Sequence, residues 1–315
     1  MTAEHRWAWG GSVFQRTVAE KVSCTGIGLH SGSPVELTLH PARAGTGVIF
    51  ERTDLGLPVE VPAASESVTA TLNATTLGRA GTSVGTVEHL LAALYGLGID
   101  NVRVEVHGPE IPVMDGSAAP FVFLVRQAGI FEQDAPRRVL RVRSPLEIRD
   151  GKKRIRVEPA RTLRVSYAVD FAHPCIGRQS LRGLELVNGS FEAELARART
   201  FGFLHEVEAL WRAGLARGGS LENTIVLDEV GVMNPEGLRW GDEFVRHKVL
   251  DLVGDLALLG MPVQGHVIVE RGGHALHQRM VGELARRAMA WSEPASVADS
   301  YAEPISYGAY RTATA

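Results

Sequence analysis

The segment from Asp242 to Gly260 constrains the fold most strongly, because it predicts a helix that is covered on every side. Apolar side chains recur at helical spacing along one face: Val245, Val249, Leu252, Val253 and Leu256. The opposite face carries His247, Asp251 and Asp255 at positions i, i+4 and i+8, so each lies one turn from the next. The other residues on that face are mostly small or apolar. Two acids and a histidine on a covered face require partners.

Two interpretations fit this polar face. His247 and Asp251 can form a buried pair with Asp255 as a second acceptor, and no metal is then needed. Alternatively, His247 and Asp251 supply two metal ligands from one rigid helix, as zinc sites commonly require. The second interpretation needs a third ligand from elsewhere in the chain.

Length and composition favour a protein with more than one folding unit. A chain of 315 residues with 45% hydrophobic and 22% charged residues is long for one domain and comfortable for two. The net charge of −3 and the absence of a Lys/Arg run argue against nucleic acid as a partner. Cys24 and Cys175 offer no disulfide framework and indicate the reducing cytoplasm. No apolar run reaches the ~18 residues of a membrane span, so stable membrane insertion is not expected.

The first half of the chain predicts short strands followed by a helix with a polar start. Alternating apolar and polar residues indicate several strands between Val13 and Val61. Thr86 is predicted to cap a helix that runs to Leu97, with Glu88 and His89 in its first turn. A β-branched strand, Ile99 to Val106, follows directly.

Polar residues between the predicted elements are better explained by ordinary structural roles than by function, although Asp115 could be functional. His30 lies in a glycine-flanked loop, where a single histidine is more often structural than catalytic. Asp115 and the following glycine predict a turn, and Ser117 is expected to cap a helix that ends near Gln127. Residues 133–138 are the best candidate for a linker.

The second half repeats the order of the first half. Strands are predicted at residues 139–142, 146–149, 153–159, 162–171 and 224–227, and helices at residues 192–199 and 205–216. The central helix then precedes a strand, Gly265 to Glu270, as the Thr86 helix precedes its own strand. We therefore predict an α+β fold with two similar α/β domains, residues 1–133 and 134–300. A tail, residues 301–315, is expected to be disordered.

If the two helices face each other, His89 can meet His247 and Asp251. Two histidines and one carboxylate leave a fourth tetrahedral position for water, which is typical of a catalytic zinc site. Zinc lowers the pKa of such a water toward ~7. Glu88, next to His89, is then the candidate general base.

A leaving amine also needs a proton donor, for which His274 is the candidate. His274 follows two glycines just past a predicted strand, where catalytic groups are often displayed. Asp255 is expected to keep His274 in the tautomer that can donate a proton to the amine, and to raise the pKa of His274. The sequence does not show that the two helices meet, and two α+β units with buried polar pairs remain the alternative.

Several motifs in order resemble one family. They are Thr86-Val-Glu88-His89-Leu, Gly98-Ile-Asp-Asn101, Glu110-Ile-Pro-Val-Met-Asp115-Gly-Ser-Ala-Ala-Pro-Phe121, Arg199-Thr-Phe-Gly-Phe203, Glu243-Phe-Val-Arg-His247-Lys248-Val-Leu-Asp251-Leu-Val-Gly-Asp255 and Gly273-His274-Ala-Leu276. They resemble the UDP-3-O-acyl-N-acetylglucosamine deacetylases, the zinc amidohydrolases of lipid A biosynthesis. The resemblance covers roughly residues 13–290.

The resemblance implies a fold in which each domain is a small sheet with helices, and the helices are sandwiched between the two sheets. It implies Zn²⁺ held by His89, His247 and Asp251, the same three residues that the helix spacing suggests, although Fe²⁺ accepts the same donors. It also implies Glu88 as general base, His274 as general acid and Asp255 as the partner of His274.

Further implied roles concern the substrate. Thr200 matches a hydroxyl that helps to stabilise the oxyanion, Lys248 matches a lysine beside the active site, and Phe201 matches an aromatic residue that contacts substrate. Arg271 stands where the family often has a basic residue near the phosphates, although a solvated turn accounts for it equally well. An insert at about residues 203–225 would form a hydrophobic passage for the acyl chain.

The sequence thus predicts a cytoplasmic, monomeric zinc deacetylase that acts on an acylated UDP-amino sugar. A zinc amidohydrolase of the same fold with a different acylated amino sugar is the alternative enzyme. A catalytically silent scaffold is the third possibility, and the intact set of Glu88, His89, His247, Asp251 and His274 argues against it.

Overall fold

A computed structural model describes residues 12–187 and 189–296, which form a mixed α+β structure. The first part contains Phe14–Val18 (β1), Val22–Ile27 (β2), Pro34–Pro41 (β3), Val48–Arg52 (β4), Val59–Pro62 (β5), Val68–Ala70 (β6), Thr76–Arg79 (β7), Thr82–Val84 (β8), Glu88–Gly96 (α1), Val102–His107 (β9), Ala119–Ala128 (α2) and Ile130–Pro136 (β10).

The second part contains Arg138–Arg141 (β11), Leu146–Asp150 (β12), Lys153–Glu158 (β13), Leu163–Asp170 (β14), Arg178–Glu185 (β15), Ser190–Glu194 (α3), Phe201–Phe203 (β16), Leu204–Arg212 (α4), Ile225–Leu227 (β17), Glu243–Leu256 (α5), Val263–Glu270 (β18), His274–Trp291 (α6) and Ser292–Pro294 (β19). Short 3-10 turns occupy Ser65–Ser67 and Ala257–Leu259.

A five-stranded sheet in the first part has the order β2-β3-β9-β4-β5. Its strands pair antiparallel except for β4 and β9, which are parallel. Val102, Val104 and Val106 alternate along β9 and are fully buried, as the period of two predicts. One face of this sheet therefore contributes to the hydrophobic core.

A seven-stranded sheet in the second part is built around β18. This strand pairs with β13 in the antiparallel sense and with β14 and β11 in the parallel sense. Val263, Val267 and Val269 of β18 are buried, and the strand leads directly into the turn before α6. β18 thereby fixes where α6 begins.

Helices α1 and α5 pack against each other in the interior. Residues 88–94 of α1 are buried, and so are all residues of α5 except Arg246 and Lys248. The prediction that the central helix is covered on every side is confirmed. Its polar face consequently lies inside the protein.

Some predicted details of the elements are wrong. Thr86 does not cap α1: it has a positive φ of 54°, and its hydroxyl donates to Oε2 of Glu110 at 2.8 Å. The predicted linker is partly a strand, because residues 130–136 form β10 and pair with β1. His274 lies at the first position of an 18-residue helix that the periodicity of the sequence did not reveal.

No helix in the described ranges combines the length and apolar character that crossing a membrane would require. The predicted tail, residues 301–315, lies outside the described residues.

Candidate metal centre and catalytic cleft

Helices α1 and α5 bring three candidate metal ligands together. Oδ1 of Asp251 lies 3.3 Å from Nε2 of His247, one turn away on α5, and 3.6 Å from Nε2 of His89 on α1. The donor atoms all lie within 4.8 Å of one another, and the three side chains are buried. The two imidazole rings meet edge to face, with centroids 5.0 Å apart. The structure therefore gathers the predicted third ligand, His89, with the two from α5.

The donor set fits a divalent metal. Nδ1–H of His247 donates to the carbonyl oxygen of Ala198 at 3.1 Å, which leaves the Nε2 lone pair facing Asp251 and His89. Burial lowers the pKa of His247 to about 3, so the imidazole is neutral and able to ligate. Burial opposes ionisation of Asp251, but the neighbouring His247 and Lys248 hold its pKa well below the usual range. Two imidazoles and a carboxylate suit zinc, and iron(II) accepts the same donors.

Glu88 lies beside this group at the start of α1. Its Oε2 accepts a hydrogen bond from the backbone N–H of Thr75 at 3.0 Å, and its Oε1 is 3.9 Å from Nε2 of His274. Burial raises the pKa of Glu88, and the nearby His274 and His89 offset part of that rise. A carboxylate with a raised pKa is a better proton acceptor near neutral pH.

His274 faces the same group from the N-terminus of α6. Its Nδ1–H donates to Oδ2 of Asp255 at 2.8 Å, and its Nε2 lies 3.9 Å from Oδ2 of Asp251. Burial alone would lower the pKa of His274, but the Asp255 carboxylate reverses this and raises the pKa to about 9. Burial opposes ionisation of Asp255, but His274 and His277 lower its pKa, so this carboxylate stays ionised. His274 is therefore a protonated imidazolium near neutral pH.

The sequence analysis missed three residues that surround Asp255. Oδ1 of Asp255 accepts from the Thr75 hydroxyl at 2.6 Å and from Nε2 of Gln278 at 3.0 Å, and its Oδ2 accepts from Nδ1 of His277 at 2.8 Å. His277 stands three residues after His274, and that spacing was a signal for a shared helix face. Nothing in the sequence around Thr75 distinguishes it from its neighbours.

A cavity of about 550 Å³ opens from these polar groups into an apolar region. Its lining includes Glu88, His89, His247, Asp251 and His274. The rest is lined mainly by apolar side chains, among them Phe171, Phe203, Leu204, Val207, Leu210 and Trp211. Most of these come from β16 and α4, within the segment predicted to form an acyl-chain passage. The candidate metal ligands and the apolar side chains of β16 and α4 thus line one cavity.

Three of the predicted substrate-side residues line this cavity. Thr200 precedes β16, and Phe201 is its first residue. Nζ of Lys248 donates to Oδ2 of Asp251 at 2.9 Å and lies 5.3 Å from the ring centroid of Phe201. His30, predicted to be a structural loop residue, also lines the cavity, and its ring nitrogens are buried without a hydrogen-bond partner among the described residues.

Among the predicted substrate-contacting residues, Arg271 is the one that the cavity lining does not include. Its guanidinium pairs with the Asp170 carboxylate at the end of β14, and both side chains are largely exposed. Neither Arg271 nor Asp170 lines the cavity. This ion pair is compatible with a solvated turn charge, and the role of Arg271 near the substrate phosphates stays a prediction.

Comparison with known proteins gives a consistent result. A family model described as LpxC, UDP-3-O-acyl N-acetylglycosamine deacetylase, matches residues 15–286. The chain is similar to the UDP-3-O-acyl-N-acetylglucosamine deacetylase of Myxococcus xanthus (strain DK1622), with 55% identity over 270 residues, 86% of each chain. It is similar to the deacetylase of the same name from Anaeromyxobacter dehalogenans (strain 2CP-C), with 57% identity over 86% of this chain and 87% of that protein. A third relative, from Geotalea uraniireducens (strain Rf4), is 50% identical over 89% of this chain and 91% of its own length.

Proposed function

The chain belongs to the UDP-3-O-acyl N-acetylglycosamine deacetylase family, and from that membership we propose that it removes the N-acetyl group of a UDP-3-O-acyl-N-acetylglucosamine. The products are acetate and the free amine, in a step of lipid A biosynthesis. The observation that carries the proposal is the meeting of the buried His89, His247 and Asp251 with the carboxylate of Glu88 and the imidazole of His274 in the wall of a largely apolar cavity. The same site with a different acylated amino sugar is the alternative.

His89, His247 and Asp251 would hold the metal, for which we propose zinc. When bound, such an ion supplies a Lewis acid that polarises a carbonyl and lowers the pKa of water. The residues around it provide the proton transfers. Glu88 accepts a proton from the attacking water as the new C–O bond forms, since its carboxylate faces the ligand group and its pKa is raised.

His274 completes the reaction as general acid. Its Nε2–H gives a proton to the amide nitrogen as the C–N bond breaks, so the amine leaves neutral. Asp255 holds the Nδ1–H of His274 and keeps the ring protonated until that step. Lys248 and the Thr200 hydroxyl stand at the cavity wall, where a cation and a donor stabilise charge that develops on the acetyl oxygen.

The apolar part of the cavity suits the 3-O-acyl chain. α4 presents Val207, Leu210 and Trp211 to it, and no residue of α4 is fully buried. Such a helix does not contribute to the core of the protein, so its apolar side chains are available to a ligand. We assign the segment at about residues 203–225 to acyl-chain binding and Phe201 to a contact with the substrate.

The arrangement of the chain is part of the proposal. We propose two similar α+β units, residues 1–133 and 134–300, with helices between the two sheets. The five-stranded sheet takes all of its strands from residues 22–107 and the larger sheet from residues 138–294, and α1 packs on α5. We also propose that the enzyme works as a monomer in the cytoplasm, in keeping with its free Cys24 and Cys175.

The test combines metal content with turnover for the parent chain and for Glu88→Gln. We expect about one metal per chain in both proteins, acetate release by the parent, and a fall of ~10² or more in kcat for the variant, as for loss of a general base. The exposed Glu66→Gln serves as the control and should match the parent. If the protein binds metal but does not release acetate, the proposed substrate is wrong. If it binds no metal, His247 and Asp251 form a structural pair and the proposed metal site is wrong.

A further inference from the structure

A second histidine lies behind the first at the start of α6. His274 and His277 are three residues apart, and the Nδ1 atoms of both lie 2.8 Å from the same oxygen, Oδ2 of Asp255. An ionised carboxylate can only accept hydrogen bonds, so both imidazoles must donate from Nδ1. The remaining oxygen, Oδ1, accepts from Thr75 and Gln278. The carboxylate is therefore held on both of its oxygens.

The far side of His277 specifies the tautomer that this arrangement needs. Nε2 of His277 lies 3.1 Å from the hydroxyl oxygen of Tyr167 on β14. Burial lowers the pKa of His277, although Asp255 raises it in part, and burial raises the pKa of Tyr167 well above its ordinary value. A neutral imidazole with its proton on Nδ1 accepts at Nε2, and a protonated phenol donates. Tyr167 thereby favours the Nδ1–H form of His277.

The backbone before α6 closes over this contact. His277 is 0% exposed and Tyr167 is 1% exposed. A Cβ atom at Gly272 would lie 2.8 Å from the Tyr167 hydroxyl and 3.2 Å from Nε2 of His277. Only a residue without a side chain fits there while the hydrogen bond is kept. The chain from Tyr167 through His277 to Asp255 is consequently shielded from water, where hydrogen bonds are strongest.

We propose that His277, oriented by Tyr167, is a positioning residue for the deacetylation. It holds Oδ2 of Asp255 where that oxygen receives the Nδ1–H of His274, and so keeps the Nε2–H of His274 directed at the cavity. His277 acts through Asp255 and does not face the substrate. The inference rests on the proposed function and extends the hydrogen-bonded series behind the general acid by one residue beyond Asp255.

Two alternative roles for His277 have to be distinguished from positioning. A second metal could in principle use Asp255, His274 and His277, whose donor atoms lie within 4.8 Å of one another. Each of the two Nδ1 atoms, however, already bonds to Asp255, and Nε2 of His277 bonds to Tyr167. A buried histidine with only a structural role also needs partners at both nitrogens, so the effect of the variants on kcat decides between that role and positioning.

The test compares three variants of the metal-loaded enzyme on the acylated UDP-N-acetylglucosamine. His277→Leu removes both ring nitrogens, His277→Asn keeps an N–H at the position of Nδ1, and Tyr167→Phe removes only the hydroxyl. We expect His277→Leu to lower kcat by about 10- to 100-fold with KM unchanged. His277→Asn should restore most of kcat, and Tyr167→Phe should lower it by about 2- to 10-fold. The control is His266→Leu, because His266 contacts Ser166 on the neighbouring strand and should leave kcat at the parental value.

A second measurement does not depend on turnover. Long-range ¹H–¹⁵N spectra of histidine-labelled enzyme report which ring nitrogen carries the proton. We expect His277 in the Nδ1–H form in the parent and also in Tyr167→Phe, because the Asp255 carboxylate still accepts that proton. An Nε2–H form in the parent, or parental kcat in His277→Leu, would overturn the inference. If the parent chain fails on this substrate while His277 shows the Nδ1–H form, the substrate is wrong and the positioning contact stands.

Discussion

Gly254 of α5 lies directly against the backbone of Glu88 in α1: a Cβ atom at Gly254 would lie 2.1 Å from the carbonyl oxygen of Glu88. The two helices therefore touch through their backbones beside the site. Glu88 adjoins His89, and Gly254 is three residues from Asp251. The approach of the two backbones sets the distance between the proposed metal ligand on α1 and the proposed ligands on α5.

Gly254→Ala should accordingly loosen the metal centre. The added methyl group forces the two helices apart, at a cost of about 1–3 kcal/mol in the free energy of unfolding. We expect a lower Tm and weaker metal retention on dialysis. Gly282→Ala is the matched control, because a Cβ atom there meets only the end of an Arg286 side chain at 3.8 Å. An alanine inside a helix should leave Tm equal or higher, and equal metal retention in both variants would contradict the role of Gly254.

Removal of the metal should destabilise the parent protein. It should have little effect on the stability of a variant that lacks one of the proposed metal ligands. A ligand that binds only the folded state raises its stability by mass action. Chelation should therefore lower the Tm of the parent, and added Zn²⁺ should restore it. In His89→Gln the same chelation should shift Tm much less. A parent whose Tm does not respond to chelator would show that His89, His247 and Asp251 hold no metal.

Asp255→Asn should change the dependence of kcat/KM on pH. His274 has to be protonated to donate, and its protonated fraction is lost as the pH rises through its pKa of about 9. Burial already lowers that pKa, and Asp255 is the main group that raises it. Removing the charge should therefore lower the pKa of His274 and move the alkaline limb of the profile to lower pH. An alkaline limb at its parental position, with metal content equal in both proteins, would contradict the pairing.

Leu210→Glu should weaken binding of the acyl chain. Leu210 lines the apolar part of the cavity, and α4 makes no buried contribution to the core, so folding should be unaffected. Loss of one leucine contact corresponds to about a 10- to 100-fold rise in KM for a long-chain substrate. Glu208→Ala, on the exposed side of α4, is the control. A KM that rises equally for substrates with and without the acyl chain would point to a general defect.

Local periodicity predicted the part of the site that lies on single elements. The spacing of His247 and Asp251 was sufficient, because one helical turn separates them whatever surrounds the helix. The resemblance to the deacetylase family, carried by motifs spread along the chain, is confirmed by the comparisons. The approach of His89 could only be assumed, since a crossing of two helices depends on packing between distant parts of the chain.

The errors have the same origin in distant contacts. Thr86 fails as a cap because its hydroxyl is taken by Glu110, which follows the next strand. Residues 130–136 form a strand because β1, far earlier in the chain, offers its edge. Thr75 and Gln278 meet at Asp255 from opposite ends of the sequence. Composition and spacing carry no information about contacts between residues that lie far apart in the sequence.

The split origin of the site has a consequence for protein synthesis. Glu88 and His89 leave the ribosome early, whereas His247, Asp251 and finally His274 on α6 follow far later. Domains generally fold as their residues emerge, N-terminal part first. A nascent chain that has completed its first sheet therefore carries the proposed base and one proposed ligand but not the proposed acid. We expect hydrolysis to begin only when the last long helix has docked. Release of acetate is in this sense a readout of completed folding.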